Sequence, residues 1–223
     1  MNQHHPSPQG GKADHGSLLD DVSLVILDFD GVIADSEVIS LATLQEALAS
    51  YGIDLSLDEV QRAFLGRSLS VIEAYVEDHS LSKAKADFAQ TWQTSLFERF
   101  RAELRPMPHL LSLLEHLSER GLPYCIASSG TFERLGVALS ALGLAGRFAS
   151  VFSSEQVLRG KPEPDLFLFA AEQIGVRPEA CLVIEDSPYG VRAAKAAKMR
   201  CVGFVGGGHL QGIADEHLSL IHI

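Results

Sequence analysis

Five short apolar runs, separated for the most part by helical patterns, most strongly constrain the fold of this chain. They are SLVILD (23–28), YCIAS (124–128), FASVFS (148–153), CLVIED (181–186) and CVGFV (201–205). Runs of this length cannot span a bilayer and are typical of buried parallel strands. Strands that alternate with helices predict an α/β fold, an open, doubly wound parallel sheet with right-handed crossovers.

The segment between the first two apolar runs breaks this alternation. It holds several helical patterns and no convincing strand. The pattern in SEVISLATLQEALASYG places Val38, Leu41 and Leu44 on one helical face, and Ser56 and Glu59 have the spacing of a capping box. We therefore expect three parts: a disordered tail at 1–20, a core formed by 21–35 and 107–223, and an all-helical cap domain at 36–106.

Two carboxylates follow the first apolar run. Asp28 and Asp30 are two positions apart in extended chain, so their side chains point the same way, and Gly31 follows at once. Two carboxylates this close repel each other, which suggests that a cation belongs between them. An Asp-Gly turn at the end of a strand would explain the same letters without any site.

Other polar residues stand where later strands or loops end. Ser128 and Ser129 open a small-residue turn before a helix, which could form a phosphate cradle or a simple helix cap. Lys161 is held between glycine and proline in GKPEP, and Glu185 and Asp186 end the fourth run. Alone, each of these motifs has an ordinary structural explanation. Together they place carboxylates, hydroxyls and an ammonium at one edge of the predicted sheet.

The combination DFDGV, IASS, GKPEP and VIEDS resembles the haloacid dehalogenase superfamily. The resemblance extends from Ser23 to about Gly208, and the predicted helical insert resembles the small helical cap of its phosphatase and β-phosphoglucomutase-like members. It implies a Rossmann-like core and a Mg²⁺-dependent phosphatase. Asp28 would be the nucleophile, forming an aspartyl-phosphate, and Asp30 would protonate the leaving alkoxide and then activate water.

The resemblance also implies which residues bind metal and phosphate. Mg²⁺ would contact the Asp28 side chain, the backbone carbonyl of Asp30 and the Asp186 carboxylate, while Glu185 would position the metal or its water. Ser128, with Ser129, and Lys161 would hold the transferring phosphoryl oxygens. The cap loop FLGRSLS, through Gly66, Arg67 and Ser68, would contact the leaving group, for which a sugar or a sugar acid is expected.

Four alternatives follow from the same resemblance. A dehalogenase is disfavoured, because those relatives lack the acid/base aspartate. A β-phosphoglucomutase-like enzyme would carry a histidine and a lysine where Ser40 and Leu65 stand. A phosphonatase would need a cap lysine, and Lys83 and Lys85 fall on a helix predicted to be solvated. A catalytically idle member that binds a partner is the last alternative.

The charge balance restricts the partners. The chain has 29 acidic and 18 basic residues, a formal charge of −11, which disfavours nucleic acid and anionic membranes. Its start lacks the apolar centre of a signal peptide, and its three cysteines are far apart and mostly in apolar runs, as buried reduced thiols would be. We expect a cytoplasmic monomer or weak homo-oligomer whose partner is a small phosphorylated metabolite.

Overall fold

A single parallel sheet forms the centre of the computed structural model, which describes residues 18–65, 69–80 and 87–205. Its order is β3-β2-β1-β4-β5, with every neighbouring pair parallel. The strands are β1 (Leu24–Leu27), β2 (Tyr124–Ser128), β3 (Val151–Ser153), β4 (Cys181–Glu185) and β5 (Arg200–Gly203). Each lies within or overlaps one of the five apolar runs, and the predicted doubly wound α/β fold is confirmed.

Eight α-helices accompany these strands in the described part of the chain. They are α1 (Ser36–Ser50), α2 (Leu57–Phe64), α3 (Leu69–His79), α4 (Phe88–Glu103), α5 (Leu110–Glu119), α6 (Phe132–Ala141), α7 (Asp165–Ile174) and α8 (Pro188–Ala196). The first four lie between β1 and α5. Because β1 pairs with both β2 and β4, the chain order reverses at β1, where open α/β sheets bind ligands.

The side chains of β1 alternate between two apolar cores. Val25 and Leu27 pack in one core with residues of α4, α5 and α6, while Leu24 and Ile26 pack in the other with residues of α7 and α8. A third apolar cluster lies within α1 to α4. Since α4 contributes to the first core as well as to this cluster, it fixes the helical insert to the sheet.

Helix α1 differs from its predicted pattern. Val38 is exposed, whereas Ile39 and Ser40 are buried beside Leu41. The helix packs against both α2 and α4, and it also borders the cavity described below, so its buried surface is wider than one apolar stripe. The capping box predicted at the start of α2 is present, with both of its hydrogen bonds.

The chain enters and leaves the helical insert side by side. Ala34 forms an antiparallel bridge with Pro106, and the Met107 N–H donates to the Ile33 carbonyl at 2.9 Å. We call this arrangement the paired crossings. The domain limits predicted at 36 and 106 stay a prediction, and the paired crossings lie beside both of them.

The three cysteines are buried and unpaired, as predicted. Burial raises the pKa of Cys125 and of Cys201 to about 12, so both are thiols at neutral pH. None of the described helices combines the length and apolar character that crossing a membrane requires. The cap loop Gly66, Arg67 and Ser68, Lys83 and Lys85 of the phosphonatase alternative, and residues 1–17 and 206–223 lie outside the described residues.

Candidate active site

Charged residues from three distant segments meet at the carboxyl end of β1. The Lys161 ammonium donates to the Asp28 Oδ1 atom at 2.6 Å and to the Glu185 Oε1 atom at 2.7 Å. It also donates to the Ala127 carbonyl at 3.0 Å, at the end of the neighbouring strand β2. The structure thus brings together the first, third and fourth predicted motifs. The Lys161–Pro162 peptide bond is cis.

Burial and mutual repulsion raise the pKa of two carboxylates in this cluster. Burial raises the pKa of Asp28 to about 7; Lys161 opposes the shift, and Glu185 adds to it. Burial also raises the pKa of Asp186 to about 9, with repulsion from Asp28 as the next cause. Burial alone would lower the pKa of Lys161, but attraction to Asp28 and Glu185 outweighs it and holds that pKa above its usual value.

The same carboxylates could hold a metal ion. Asp28, Glu185 and Asp186 each offer a carboxylate oxygen, and these oxygens lie within 4.8 Å of one another. Hard oxygen donors suit Mg²⁺, and a divalent cation would offset the burial and repulsion that raise the pKa values of Asp28 and Asp186. The set therefore fits the predicted ion. The Asp30 carboxylate lies outside this set, since it contacts an arginine instead.

Protein donors hold both oxygens of Glu185. Its Oε1 atom accepts from Lys161, and its Oε2 atom accepts from the Ser187 N–H at 2.8 Å and from the Ser187 hydroxyl at 2.9 Å. Glu185 is fully buried. These bonds suit the positioning role predicted for Glu185, because they orient its carboxylate beside Asp28 and Asp186.

The backbone of Gly190 lies so close to the Glu185 carboxylate that it leaves no room for a side chain. A Cβ atom at this position of α8 would overlap the Glu185 carboxylate. We expect Gly190→Ala to displace Glu185 and to lower the free energy of unfolding by about 1–3 kcal/mol, the usual cost of overpacking. Thermal unfolding would measure the effect.

Gly136 provides a matched control for this substitution. It lies in α6, and a Cβ atom there would meet nothing within 4 Å. Gly136→Ala should leave activity unchanged and stabilise the helix by about 0.4–1 kcal/mol. If both alanine variants behaved alike, the close approach at Gly190 would be unimportant.

The residues predicted to form a phosphate cradle lie at the end of β2. The Ser128 side chain is fully buried, and its hydroxyl accepts from the Gly130 N–H at 3.0 Å. Ser129 and Gly130 line the cavity in front of it. Thr131 caps α6 by accepting from the Arg134 N–H at 3.2 Å. The turn therefore caps a helix and also borders the cavity, and phosphate binding by this turn stays a prediction.

The structure adds two charged residues that the sequence analysis did not identify. The Arg134 Nη2 atom donates to the Asp30 Oδ1 atom at 2.7 Å, and the Ser36 hydroxyl donates to the same oxygen. Burial raises the pKa of Glu37 to about 7; repulsion from Asp30 adds to the shift, and attraction to Arg134 opposes it. No local pattern indicates these contacts, although Arg134 does lie in the first turn of a helix that begins at the site.

A cavity of about 370 Å³ joins the cluster to the helical insert. Asp28, Asp30, Lys161, Glu185 and Asp186 lie among its lining residues, together with Ser129 of the turn after β2. From the insert come Glu37, Ser40, Leu41, Leu44, Phe64, Leu65, Ile72 and Trp92. The cavity is polar beside the strand ends and largely apolar beneath the helices, so it can enclose a small molecule with one charged end.

Comparison with known proteins identifies the family. A model of the haloacid dehalogenase-like hydrolases matches residues 25–204. The chain belongs to this family. The predicted resemblance is therefore confirmed, and the matched range contains every predicted site residue.

Haloacid dehalogenase-like relatives with assigned activities match most of this chain. It is 27% identical to 6-phosphogluconate phosphatase of Escherichia coli over 89% of each chain. It is 30% identical to hexitol phosphatase A of the same organism, covering 77% of this chain and 78% of that protein. Both names are those of phosphatases, which supports the predicted class of phosphoric monoester hydrolase.

Two further matches differ in the share of the matched protein that this chain covers. A Deinococcus radiodurans hydrolase of this family, crystallised with phosphate and sodium, is 32% identical with a TM-score of 0.69, covering 87% of this chain and 86% of that one. The Arabidopsis thaliana protein SUPPRESSOR OF QUENCHING 1 is 32% identical over 81% of this chain, which spans only 18% of its length.

Proposed function

We propose that this haloacid dehalogenase-like hydrolase is a Mg²⁺-dependent phosphatase. Its substrate would be a small phosphorylated metabolite, a sugar phosphate or a sugar-acid phosphate. The observation that carries the proposal is the Asp28 carboxylate, which lies in a cavity between Lys161 and two further buried carboxylates. Such a carboxylate can attack phosphorus once the charge of the phosphate is neutralised.

The first half of the reaction transfers the phosphoryl group to the protein. An Asp28 oxygen attacks phosphorus, the bond from phosphorus to the leaving oxygen breaks, and Asp30 gives that oxygen its proton. Lys161, which contacts Asp28 at 2.6 Å, would hold a phosphoryl oxygen as charge shifts onto it. Mg²⁺ held by Asp28 and Asp186 would supply the remaining neutralisation of charge.

The second half releases phosphate. Asp30, now ionised, takes a proton from a water molecule whose oxygen attacks phosphorus. The bond between phosphorus and Asp28 breaks, which returns the carboxylate to its starting state. Asp30 must reach the leaving oxygen in the first half and the attacking water in the second, and it is one of the residues that line the cavity.

The size and lining of the cavity support a small hydroxylated leaving group. About 370 Å³ accommodates a metabolite of sugar size but no macromolecule. The names of the two Escherichia coli relatives point to the same class of compound. The lining of the cavity argues against the mutase alternative, because Ser40 and Leu65 both line it and neither side chain can take up a proton at neutral pH as a histidine can.

A panel of phosphate esters tests the proposal. We expect phosphate release from p-nitrophenyl phosphate and from at least one sugar phosphate in the presence of Mg²⁺. The rate should fall to background in EDTA and recover when Mg²⁺ is added in excess. If no ester released phosphate with Mg²⁺, Mn²⁺ or Co²⁺ present, the binding-protein alternative would replace the enzyme.

A further inference from the structure

Arg134 connects the core to the helical insert at the proposed acid/base residue. Its backbone is fixed in the first turn of α6, where its N–H donates to the Thr131 hydroxyl at 3.2 Å. From there its side chain reaches Asp30, 104 positions earlier in the chain, and the ion pair is only 2.7 Å long. Only 20% of the Arg134 side chain and 18% of the Asp30 side chain are exposed.

The insert holds the guanidinium from the other side. The Arg134 Nη2 atom also donates to the Ser40 hydroxyl in α1 at 3.2 Å, and the guanidinium lies over the Phe100 ring of α4 at 5.5 Å from its centroid. Ser40 in turn donates to the Ser36 carbonyl at 2.8 Å. The position of Asp30 is therefore tied to two helices of the insert and to one helix of the core.

Both side-chain donors bind the same oxygen of Asp30. Arg134 and Ser36 each donate to Oδ1. Because Oδ1 accepts from these two donors, Oδ2 is the oxygen better suited to carry the transferred proton, and Asp30 is among the residues that line the cavity. A carboxyl group without these donors could rotate and deliver its proton in the wrong direction.

We propose that Arg134 is the positioning residue for Asp30 in leaving-group protonation. The inference rests on the proposed phosphatase function and adds a residue to it. Arg134 keeps Asp30 Oδ1 bound, so that Oδ2 faces the oxygen that leaves phosphorus. Its effect on the rate then depends on how strongly the leaving group needs a proton.

The leaving group provides the test. A p-nitrophenolate ion departs without protonation, whereas the alkoxide of a sugar cannot depart as a free anion. Loss of Arg134 should therefore lower kcat/KM, which reports only the first half of the reaction, far more for alkyl phosphates than for p-nitrophenyl phosphate. A residue that only stabilised the fold or docked the insert would affect both esters equally.

The experiment compares Arg134→Met with the parent on p-nitrophenyl phosphate and on the best alkyl phosphate of the panel, both with saturating Mg²⁺. We expect kcat/KM to fall on the order of 10²–10³-fold for the alkyl ester, within the range of general acid catalysis, and less than about 5-fold for the aryl ester. The alkyl loss should be in kcat rather than KM. Arg134→Lys keeps the charge and should recover part of the alkyl activity.

Glu133→Gln is the matched control. Glu133 neighbours Arg134 in α6 and accepts from the Gln93 side chain of α4 at 2.7 Å, so it also joins core to insert, but at an exposed position. This variant should leave both rates within about twofold of the parent, as surface substitutions usually do. Similar losses in Glu133→Gln and Arg134→Met would assign the effect to docking and overturn the inference.

The remaining outcomes separate the two proposals. Equal losses of both esters in Arg134→Met, or a change confined to KM, would overturn the role of Arg134 and leave the phosphatase function intact. Retained activity on the aryl ester shows that Arg134→Met folds. If Arg134→Met does not fold, Arg134→Lys takes its place and must lose more kcat/KM on the alkyl ester than on the aryl ester. Equal losses on both esters in Arg134→Lys would also overturn the inference. If the parent hydrolysed neither ester, the proposed function would fail first.

Discussion

Asp28→Asn is expected to abolish phosphate release and, at the same time, to stabilise the metal-free protein. An amide cannot form the acyl phosphate, so turnover should fall on the order of 10⁴-fold or more. The side chain is 7% exposed and lies beside other carboxylates. Removing its charge relieves repulsion, while Lys161 keeps its contact with Glu185 at 2.7 Å.

The stabilisation should depend on pH in a defined direction. Burial raises the Asp28 pKa from 3.8 to about 7, so the folded protein binds a proton more tightly than the unfolded chain does. The parent therefore loses stability as pH rises from about 4 to about 7, and the variant lacks this loss. In EDTA, the difference in melting temperature between Asp28→Asn and the parent should grow over this pH range and stay constant above it.

Asp54→Asn is the control for this prediction. Asp54 is exposed and is not among the residues that line the cavity, so the same substitution there should change neither activity nor the pH profile. Phosphate release by Asp28→Asn comparable with that of the parent would exclude Asp28 as the nucleophile. A difference in melting temperature that shrank with rising pH would contradict the electrostatic explanation of the cluster.

Lys161→Met is expected to have the opposite effect on stability. It would leave Asp28 and Glu185 buried after losing the ammonium that contacts both, and breaking a buried ion pair in this way costs about 3–5 kcal/mol. Activity should fall on the order of 10²–10³-fold, because a donor to the phosphoryl oxygens is lost. Urea unfolding and kcat measurements with Mg²⁺ would report the two effects.

Mg²⁺ distinguishes a charge effect from a packing effect in this variant. If the lost charge is the cause, adding Mg²⁺ should raise the melting temperature of Lys161→Met more than that of the parent, since the ion replaces the missing cation. Lys195→Met, at an exposed position of α8, should match the parent in every measurement. If Mg²⁺ raised the melting temperatures of Lys161→Met and the parent equally, the lost charge would not be the cause of the instability.

The strands and the strand-end residues could be predicted because their signals are local. An apolar run followed by Asp28 or by Glu185 needs no knowledge of the rest of the chain, and parallel pairing then places these ends at one edge. The cation Lys161 was found in the same way, through a short motif between a glycine and a proline. The structure brings all three together.

The contacts of Arg134 and Glu37 could not be predicted, because they depend on how the insert lies over the sheet. The Arg134 ion pair joins positions that are 104 residues apart, and neither hydrophobic periodicity nor a short motif can indicate a contact between residues so distant in sequence. Val38 was misassigned for a related reason. Packing against two helices and a cavity, rather than an apolar stripe alone, decides which side of α1 is buried.

The paired crossings also make the insert exchangeable. The bridge between Ala34 and Pro106 brings the two ends of the insert together. With respect to the core, the insert is therefore equivalent to one long surface loop whose ends are already in contact. Replacing a loop whose ends already meet changes the entropy of closure only slowly with its length. During evolution the helical insert could therefore be replaced by a different one, which would change the substrate, while the sheet and its charge cluster stayed as they are.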